Sequence, residues 1–407
     1  MHVLGIKARV FTYPAMALLF VIASWSYHEE FRGVRDFREL VNQEAERGYT
    51  EWETKKLYYT LDYDSILYES LFKDGIDANF IVANYSTMPN VMGISVLAAL
   101  ARRAGIDIFT LNLMLLLVTG WILVRIAAIL HLSPALPLAC IYLNPVSVFY
   151  CQTATKEVPL MLGCTLLAYL SLRFRKALPF FALPVLAGIT FMRVQTGVLL
   201  GVLVVLGTLR YRVALRFIWT GLFIFFALLP LTSFTEFWTG ADSYQEMSGR
   251  VGIGKFIDFG LKTIPFAGYA LIPLRAIQNA LDPFPFAPLL NDGKSVWSLY
   301  AIFGQLSFYF YSYIFVGLIP LLWRYLRGRI EPSRKKSVLI LFVIFGWFSV
   351  AIVPYVQGRY LFPFLPLAAF ALGLSSELVS KIMTRYVRLA WAALACLQAW
   401  IALEALL

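Results

Sequence analysis

The stretch NPVSVFYCQTATKEVPLMLG, Asn144 to Gly163, sets Lys156 and Glu157 side by side between apolar segments. Charges in apolar surroundings are costly unless they are partnered or used. The 407-residue chain around them is 60% hydrophobic and 14% charged, with mean hydropathy +0.71. Soluble domains carry about 25% charged residues, and here apolar runs of roughly 20 residues recur along most of the length. The sequence therefore predicts an all-α polytopic membrane protein. It forms a single integral domain over residues 1–407, with about ten to twelve transmembrane helices. No α/β alternation, low-complexity tract or internal repeat stands out.

Charge supplies the expected sidedness. Residues 28–90 hold 13 of the 24 acidic residues against 7 basic ones, a net of −6, so the remainder of a +11 chain sums to +17. That surplus lies in short clusters at span ends, such as Arg102/Arg103, Arg173/Arg175/Lys176, Arg210/Arg212/Arg216 and Lys381/Arg385/Arg388. Lys and Arg beside spans mark the cytoplasmic side. The basic balance is read as a topology signal, with no nucleic acid as partner. The N-terminus is expected inside, as a retained first span over about residues 11–27 and not a cleaved leader. Two large external loops follow from the same rule, 28–87 and 236–295. Further spans are expected near 88–101, 158–172, 177–192, 195–209, 217–235, 297–323, 337–354, 360–380 and 389–406.

Residues 104–157 resist simple alternation. They must cross an odd number of times, yet three full crossings need about 60 residues at 1.5 Å rise. Pro134, Pro137 and Asn144-Pro145 also interrupt the stretch. One span followed by short or re-entrant helices fits. Broken helices at membrane depth need protein or a water-filled cavity to cover the freed backbone. Lys156 and Glu157 are therefore expected to line a polar cavity at the outer face. The alternative is an interfacial ion pair capping a helix.

Other charges are expected at the same face. Arg193 (FMRVQTG) and Arg359 (PYVQGRYLFPFLP) each sit in a turn between two expected spans. Snorkelling would explain either one, but a guanidinium is also a planar bidentate phosphate ligand. With Lys156, they form a set suited to a lipid-linked phosphate. The first external loop supplies acids. SYHEEFRGVRD offers Glu29 and Glu30, and TLDYDSILYESLF offers Asp62, Asp64 and Tyr68, the last two one helical turn apart. A carboxylate there, or Glu157, is a candidate general base toward a sugar hydroxyl. The charges of DFRELVNQEAER, Asp36 to Arg47, read as a solvated amphipathic segment.

GRVGIGKF, Gly249 to Phe256, nearly spells a nucleotide-binding loop, but Phe256 stands where the magnesium-binding hydroxyl belongs. It is read as a flexible loop from which Arg250 and Lys255 reach an anionic ligand. With three histidines in the chain, His2, His28 and His131, no histidine metal cluster or Ser-His-Asp set is expected. His28, near the outer end of the first span, merits testing. Cys140, Cys151, Cys164 and Cys396 show no paired spacing and read as packing residues. No metal and no other cofactor are expected.

Taken together, the chain resembles the GT-C type of multi-span membrane glycosyltransferase, and more narrowly bacterial O-antigen and exopolysaccharide polymerases of the Wzy/EpsG kind. The resemblance rests on four features: a long acidic first external loop, an Asp-x-x-x-Tyr element (Asp64, Tyr68), the Pro-led NPVSVFYCQTATKE, and Arg359-Tyr360 opening a late span in GRYLFPFLP. It implies sugar transfer at the outer face of the bacterial inner membrane from a polyprenyl (di)phosphate-linked donor. The implied partners are a glycan or lipid-linked acceptor, membrane lipid and a chain-length regulator. A lipid-linked oligosaccharide flippase or other polytopic transporter is the alternative, since it too needs intramembrane charge. A non-catalytic assembly protein would explain the bundle but not the converging charges.

Overall fold

The computed structural model describes residues 2–31, 68–69, 71–72, 75–85, 88–174, 178–209, 211–228, 299–330, 332–351 and 358–378, with scattered residues between 385 and 400. The described elements are helical throughout. They are α1 (His2–Phe31), α2 (Ala78–Asn84), α3 (Pro89–Arg103), α4 (Ile108–Leu130), α5 (Ala135–Tyr142), α6 (Pro145–Gln152) and α7 (Glu157–Arg173). There follow α8 (Leu178–Met192), α9 (Val194–Thr208), α10 (Tyr211–Leu228), α11 (Leu299–Leu326), α12 (Arg334–Ala351), a 3-10 segment (Gly358–Phe364) and α13 (Leu365–Leu378). The second external loop expected at 236–295 lies outside the described residues, as does most of the first.

Local sequence accounts for many boundaries. Asp77 Oδ1 accepts from the Asn79 amide at 2.9 Å and heads α2, and Asp107 Oδ1 accepts from the Thr110 amide at 2.6 Å and heads α4. Both are ordinary N-caps, satisfying first-turn amides that have no helical partner. Pro89 and Pro145 occupy first-turn positions of α3 and α6, where a missing N–H costs nothing. α4 ends on His131 in the left-handed region at φ 56°.

The segment that resisted alternation resolves as the sequence predicts: one long apolar helix, α4, and then two short ones. α5 and α6 are bent by 49° across Leu143 and Asn144. The break is satisfied from within and from α11. Asn144 Oδ1 accepts from the Val146 amide at 3.4 Å and from Ser307 Oγ at 2.5 Å. The Val146 amide also reaches Ser307 Oγ at 3.3 Å.

α7 runs through the middle, packed against α4, α8, α12 and the 3-10 segment, while α1 lies across α4, α5 and α6. α3 meets α8 backbone to backbone at Gly93, where a Cβ would run into the Phe191 carbonyl. Gly346 on α12 leaves the matching space for the Phe364 ring. Small residues at helix crossings permit this closeness. Cys140, Cys151 and Cys164 are buried packing residues, whereas Cys396 is exposed, so the packing reading holds for three of the four.

The span count comes out differently. Among the described residues, Ile108–Leu130 is the one helix long and apolar enough to cross a bilayer alone, and the bent α5–α6 pair passes the same test only as one broken span. Length is the reason for much of the difference. α3, α8 and α9 have 15 residues each and α7 has 17. Such helices measure about 22–26 Å, against a hydrocarbon core of about 30 Å.

Candidate functional site

α6 ends at Gln152, and α7 begins at Glu157. The strap between them, Thr153 to Lys156, is buried throughout. Buried irregular backbone needs partners, and α4 supplies them. The Asn112 side-chain amide donates to the Tyr150 carbonyl at 3.0 Å and to the Thr153 carbonyl at 2.8 Å. α1 grips the same end. His28 Nδ1 donates to Gln152 Oε1 at 2.8 Å, and Gln152 Nε2 donates to the Ser24 carbonyl at 3.2 Å. The His28 ring stacks on Phe109, with centroids 4.1 Å apart. The strap carrying Lys156 is thus fixed from two sides.

Glu157 is the first residue of α7, so its carboxylate sits at the positive end of that helix dipole. Its partner is not its neighbour Lys156. Arg193 Nη2 donates to Glu157 Oε1 at 3.0 Å, with side-chain exposures of 11% and 3% for Arg193 and Glu157. Arg193 lies between α8 and α9. Its amide closes α8 on the Ile189 carbonyl at 2.7 Å, and its carbonyl opens α9 to the Gly197 amide at 3.0 Å. This hairpin delivers the guanidinium to the head of α7.

Two further elements reach the same place. The Arg193 guanidinium lies 4.5 Å from the centroid of the Tyr360 ring, and Arg359 lies 5.6 Å from that ring. Arg359 and Tyr360 come from the 3-10 segment packed on α7. Lys156 Nζ lies 5.5 Å from the ring of the buried Tyr68. Among the described residues, Arg193 thus joins the Glu157 carboxylate to the Tyr360 ring beside Arg359, while Lys156, next to Glu157 in sequence, lies over Tyr68. The faces of Tyr68 and Tyr360 are favourable surroundings for these cations.

Contacts therefore link four of the sequence-predicted residues, Glu157, Arg193, Arg359 and Tyr360, and pair two more, Lys156 and Tyr68, adjoining them along the chain. Asp62, Asp64, Arg250 and Lys255 lie outside the described residues. Glu29 is exposed in the last turn of α1, and Glu30 follows it there, its side chain outside the described set. One expectation shifts. The sequence points Arg193 at a phosphate, and in this structure it faces Glu157, a pairing that residues 36 apart in sequence do not announce. Among the described residues, no three His, Cys, Asp or Glu side chains gather as a metal site.

Sequence reasoning missed a layer of neutral groups. The hydroxyls of Ser95, Thr153, Thr155, Thr165 and Thr196 are buried with no hydrogen-bond partner. Thr153 and Thr155 belong to the strap, and Thr196 lies in the first turn of α9. The available signal was QTAT, three polar side chains in four residues directly before Lys156. The arrangement holds a guanidinium against a buried carboxylate, with the amine of Lys156 next to that carboxylate in sequence. Comparison with protein family models, curated proteins and solved structures gives no match.

Proposed function

We propose that the chain is a polytopic membrane glycosyltransferase of GT-C-like organisation, acting at the outer face of the bacterial inner membrane. Its donor is a sugar on a polyprenyl phosphate or diphosphate, and its reaction is the polymerisation of O-antigen or exopolysaccharide repeat units. One observation carries the reading: Arg193 bonds the buried Glu157 carboxylate at the head of α7 and lies on Tyr360, so the segment carrying Arg359 reaches the same helix head that Lys156 precedes. The membrane part is supported by composition and by large apolar side chains on the outside, including Phe180 at 75%, Phe223 at 74% and Leu183 at 64% exposure. Exposed apolar area on that scale marks a lipid or partner surface.

The proposed chemistry is displacement at the anomeric carbon. The acceptor hydroxyl oxygen bonds to that carbon as the bond to the carrier phosphate oxygen breaks. The phosphate departs with the electron pair, its developing charge met by Lys156, Arg193 and Arg359. The hydroxyl proton passes to a carboxylate, Asp64 or Glu157.

Deletion of the gene in its host tests this reading. One envelope polysaccharide should be lost, its lipid-linked repeat unit should accumulate, and the wild-type gene should restore it. Lys156→Arg should restore part of the polymer and Lys156→Met almost none, at equal membrane abundance. Unchanged envelope glycans after deletion would remove the proposal.

A further inference from the structure

α9 runs between two differently charged ends of the bundle. Arg193, paired with Glu157, opens it, and near its close the Gly207 carbonyl accepts from Arg334 Nε at 3.1 Å. At 1.5 Å of rise per residue the two points lie roughly 20 Å apart. The far end is basic. Residues 207–228 hold three arginines and no acid, and residues 323–336 hold six lysines and arginines against Glu331. Arg212, Arg216, Arg327, Arg329 and Lys335 are exposed there.

α10 packs little on the other helices, yet its first half is fastened to the last turn of α11. The Tyr211 hydroxyl donates to the Tyr325 carbonyl at 2.7 Å, and Trp219 Nε1 donates to the Leu326 carbonyl at 3.0 Å. Midway between them on α10, Leu215 lies where a Cβ on Gly328 would meet it at 3.6 Å. Carbonyls of a last helical turn lack α-helical partners, and α10 supplies donors to two of them. The same turn carries Trp323 and Arg327. The Arg327 guanidinium lies 3.9 Å from the centroid of the Trp323 ring, and Trp323 and Trp219 are 50% and 51% exposed. A guanidinium stacked on an indole has one flat face covered and keeps its N–H edge for a bidentate acceptor. Farther along α10, Phe217, Phe223 and Ile224 are exposed, and no charge follows Arg216 in the helix. Charge, then indole rings, then apolar side chains is the order of a bilayer leaflet from headgroup to acyl chain.

We propose that the start of α10 and the end of α11 form a docking site for an anionic phospholipid of the adjoining membrane leaflet. Its phosphate is taken by Arg327 on Trp323, with Arg216 and Arg329 supplying further positive charge, and its acyl chains lie along Phe223 and Ile224. The inference rests on the membrane part of the proposed function and not on glycosyl transfer. Charge selects the occupant, because a zwitterionic lipid also has a phosphate but brings a cation into an already basic patch. An aromatic belt alone would place tryptophans at this depth. It would not call for a peripheral helix fastened by two side-chain hydrogen bonds to the turn that carries the stacked arginine.

The test titrates the full chain, purified in detergent, with dioleoyl phosphatidylglycerol or dioleoyl phosphatidylcholine and counts bound lipids by native mass spectrometry. Phosphatidylglycerol should bind more tightly. Arg327→Gln should weaken its tightest adduct by about tenfold, and Arg327→Lys should recover part. Trp323→Leu should weaken it by about threefold. Arg173 is the control, an exposed arginine 5.9 Å from the Tyr169 ring at the close of α7 and outside the proposed site. Arg173→Gln should leave the adduct unchanged. Should Arg327→Gln lower the thermal midpoint, Arg216→Gln on the exposed side of α10 should weaken the same adduct, and no change there would overturn the site. Equal weakening by Arg173→Gln and Arg327→Gln would make the patch a diffuse basic surface and overturn it, as would equal binding of the two lipids. A dimer in the same spectra, abolished by Phe223→Ser and indifferent to added lipid, would assign the α10 face to a second copy and also overturn it. Loss of the lipid preference alone leaves the transfer proposal standing. A chain that stays folded and soluble without detergent would overturn the membrane reading and this site together.

Discussion

At the head of α4, Asp107 accepts a 2.6 Å hydrogen bond from the Thr110 amide, and at the head of α6, Asn144 receives both the Val146 amide and Ser307. At the heads of α7 and α9, the corresponding positions hold Lys156 and Arg193, with no side-chain cap. Acidic and amide caps satisfy orphan amides and suit the helix dipole, each contributing about 0.5–2 kcal/mol. The cationic starts forgo that contribution and add repulsion. Side-chain caps are also missing at the heads of α3 and α5, where Met88 and Pro134 stand, so what sets α7 and α9 apart is the cation at the start beside the Arg193–Glu157 pair. Departures from local consistency of this kind are expected where a site is built at the expense of the fold. The comparison separates scaffold from site without reference to any relative.

The largest effect should fall on the site side. If a carboxylate takes the acceptor proton, Asp64→Asn or Glu157→Gln should slow transfer by about 10²–10⁴ while the lipid-linked donor still binds. Turnover by purified protein in nanodiscs, corrected for folded amount, is the measurement. Wild-type rates from both variants would return Glu157 to the scaffold and dissolve the contrast. The scaffold side should respond in the other currency. Asp107→Ala removes the cap of α4 and should cost about 1 kcal/mol of stability, read as a lower midpoint in thermal unfolding. Turnover per folded molecule should not change, because Asp107 has no part in the cluster; a matching loss of turnover would mean that α4 transmits its capping state to the strap.

The two sides also differed in legibility. Pro134, Pro137 and Asn144-Pro145 announced the break that became α5 and α6, because proline and its preceding residue restrict the backbone in any context. Lys156, Arg193 and Arg359 stood out in the sequence because charge is rare in apolar segments and needs a reason. Their pairing was not legible. Sequence separation says nothing of whether Arg193 meets a ligand or Glu157. Nor were the threonines, since a hydroxyl in an apolar helix ordinarily bonds its own backbone. Thr119 does so on the Leu115 carbonyl at 2.7 Å and Thr190 on the Leu186 carbonyl at 2.7 Å. Only burial combined with a missing partner sets Thr155 and Thr196 apart. Among the described residues, one helix, or two spans if bent α5–α6 counts as one, has the length and apolarity of a crossing, because hydropathy marks apolar stretches but not whether each helix runs the about 20 residues a bilayer requires.

The smallest expected effect is also the most discriminating, because its sign is opposite on the two sides. Lys156→Ser removes the buried cation from the start of α7 but not its helical backbone, φ −77° and ψ −16°, where Asp107 and Asn144 at the heads of α4 and α6 are extended. Taking a cation from the dipole's positive end contributes a few tenths of a kcal/mol, and the charge no longer has to be desolvated. The Tyr68 contact at 5.5 Å is lost and offsets part of the gain. The net should be a small rise in thermal midpoint together with loss of most transfer activity, the trade expected where a site is kept at the expense of stability. A fall in midpoint, with activity lost in proportion to folded protein, would show that Lys156 is part of what holds α7 in place. The inverted helix start would then be a structural arrangement, and the line between scaffold and site would have to be drawn through Arg193 and Glu157 alone.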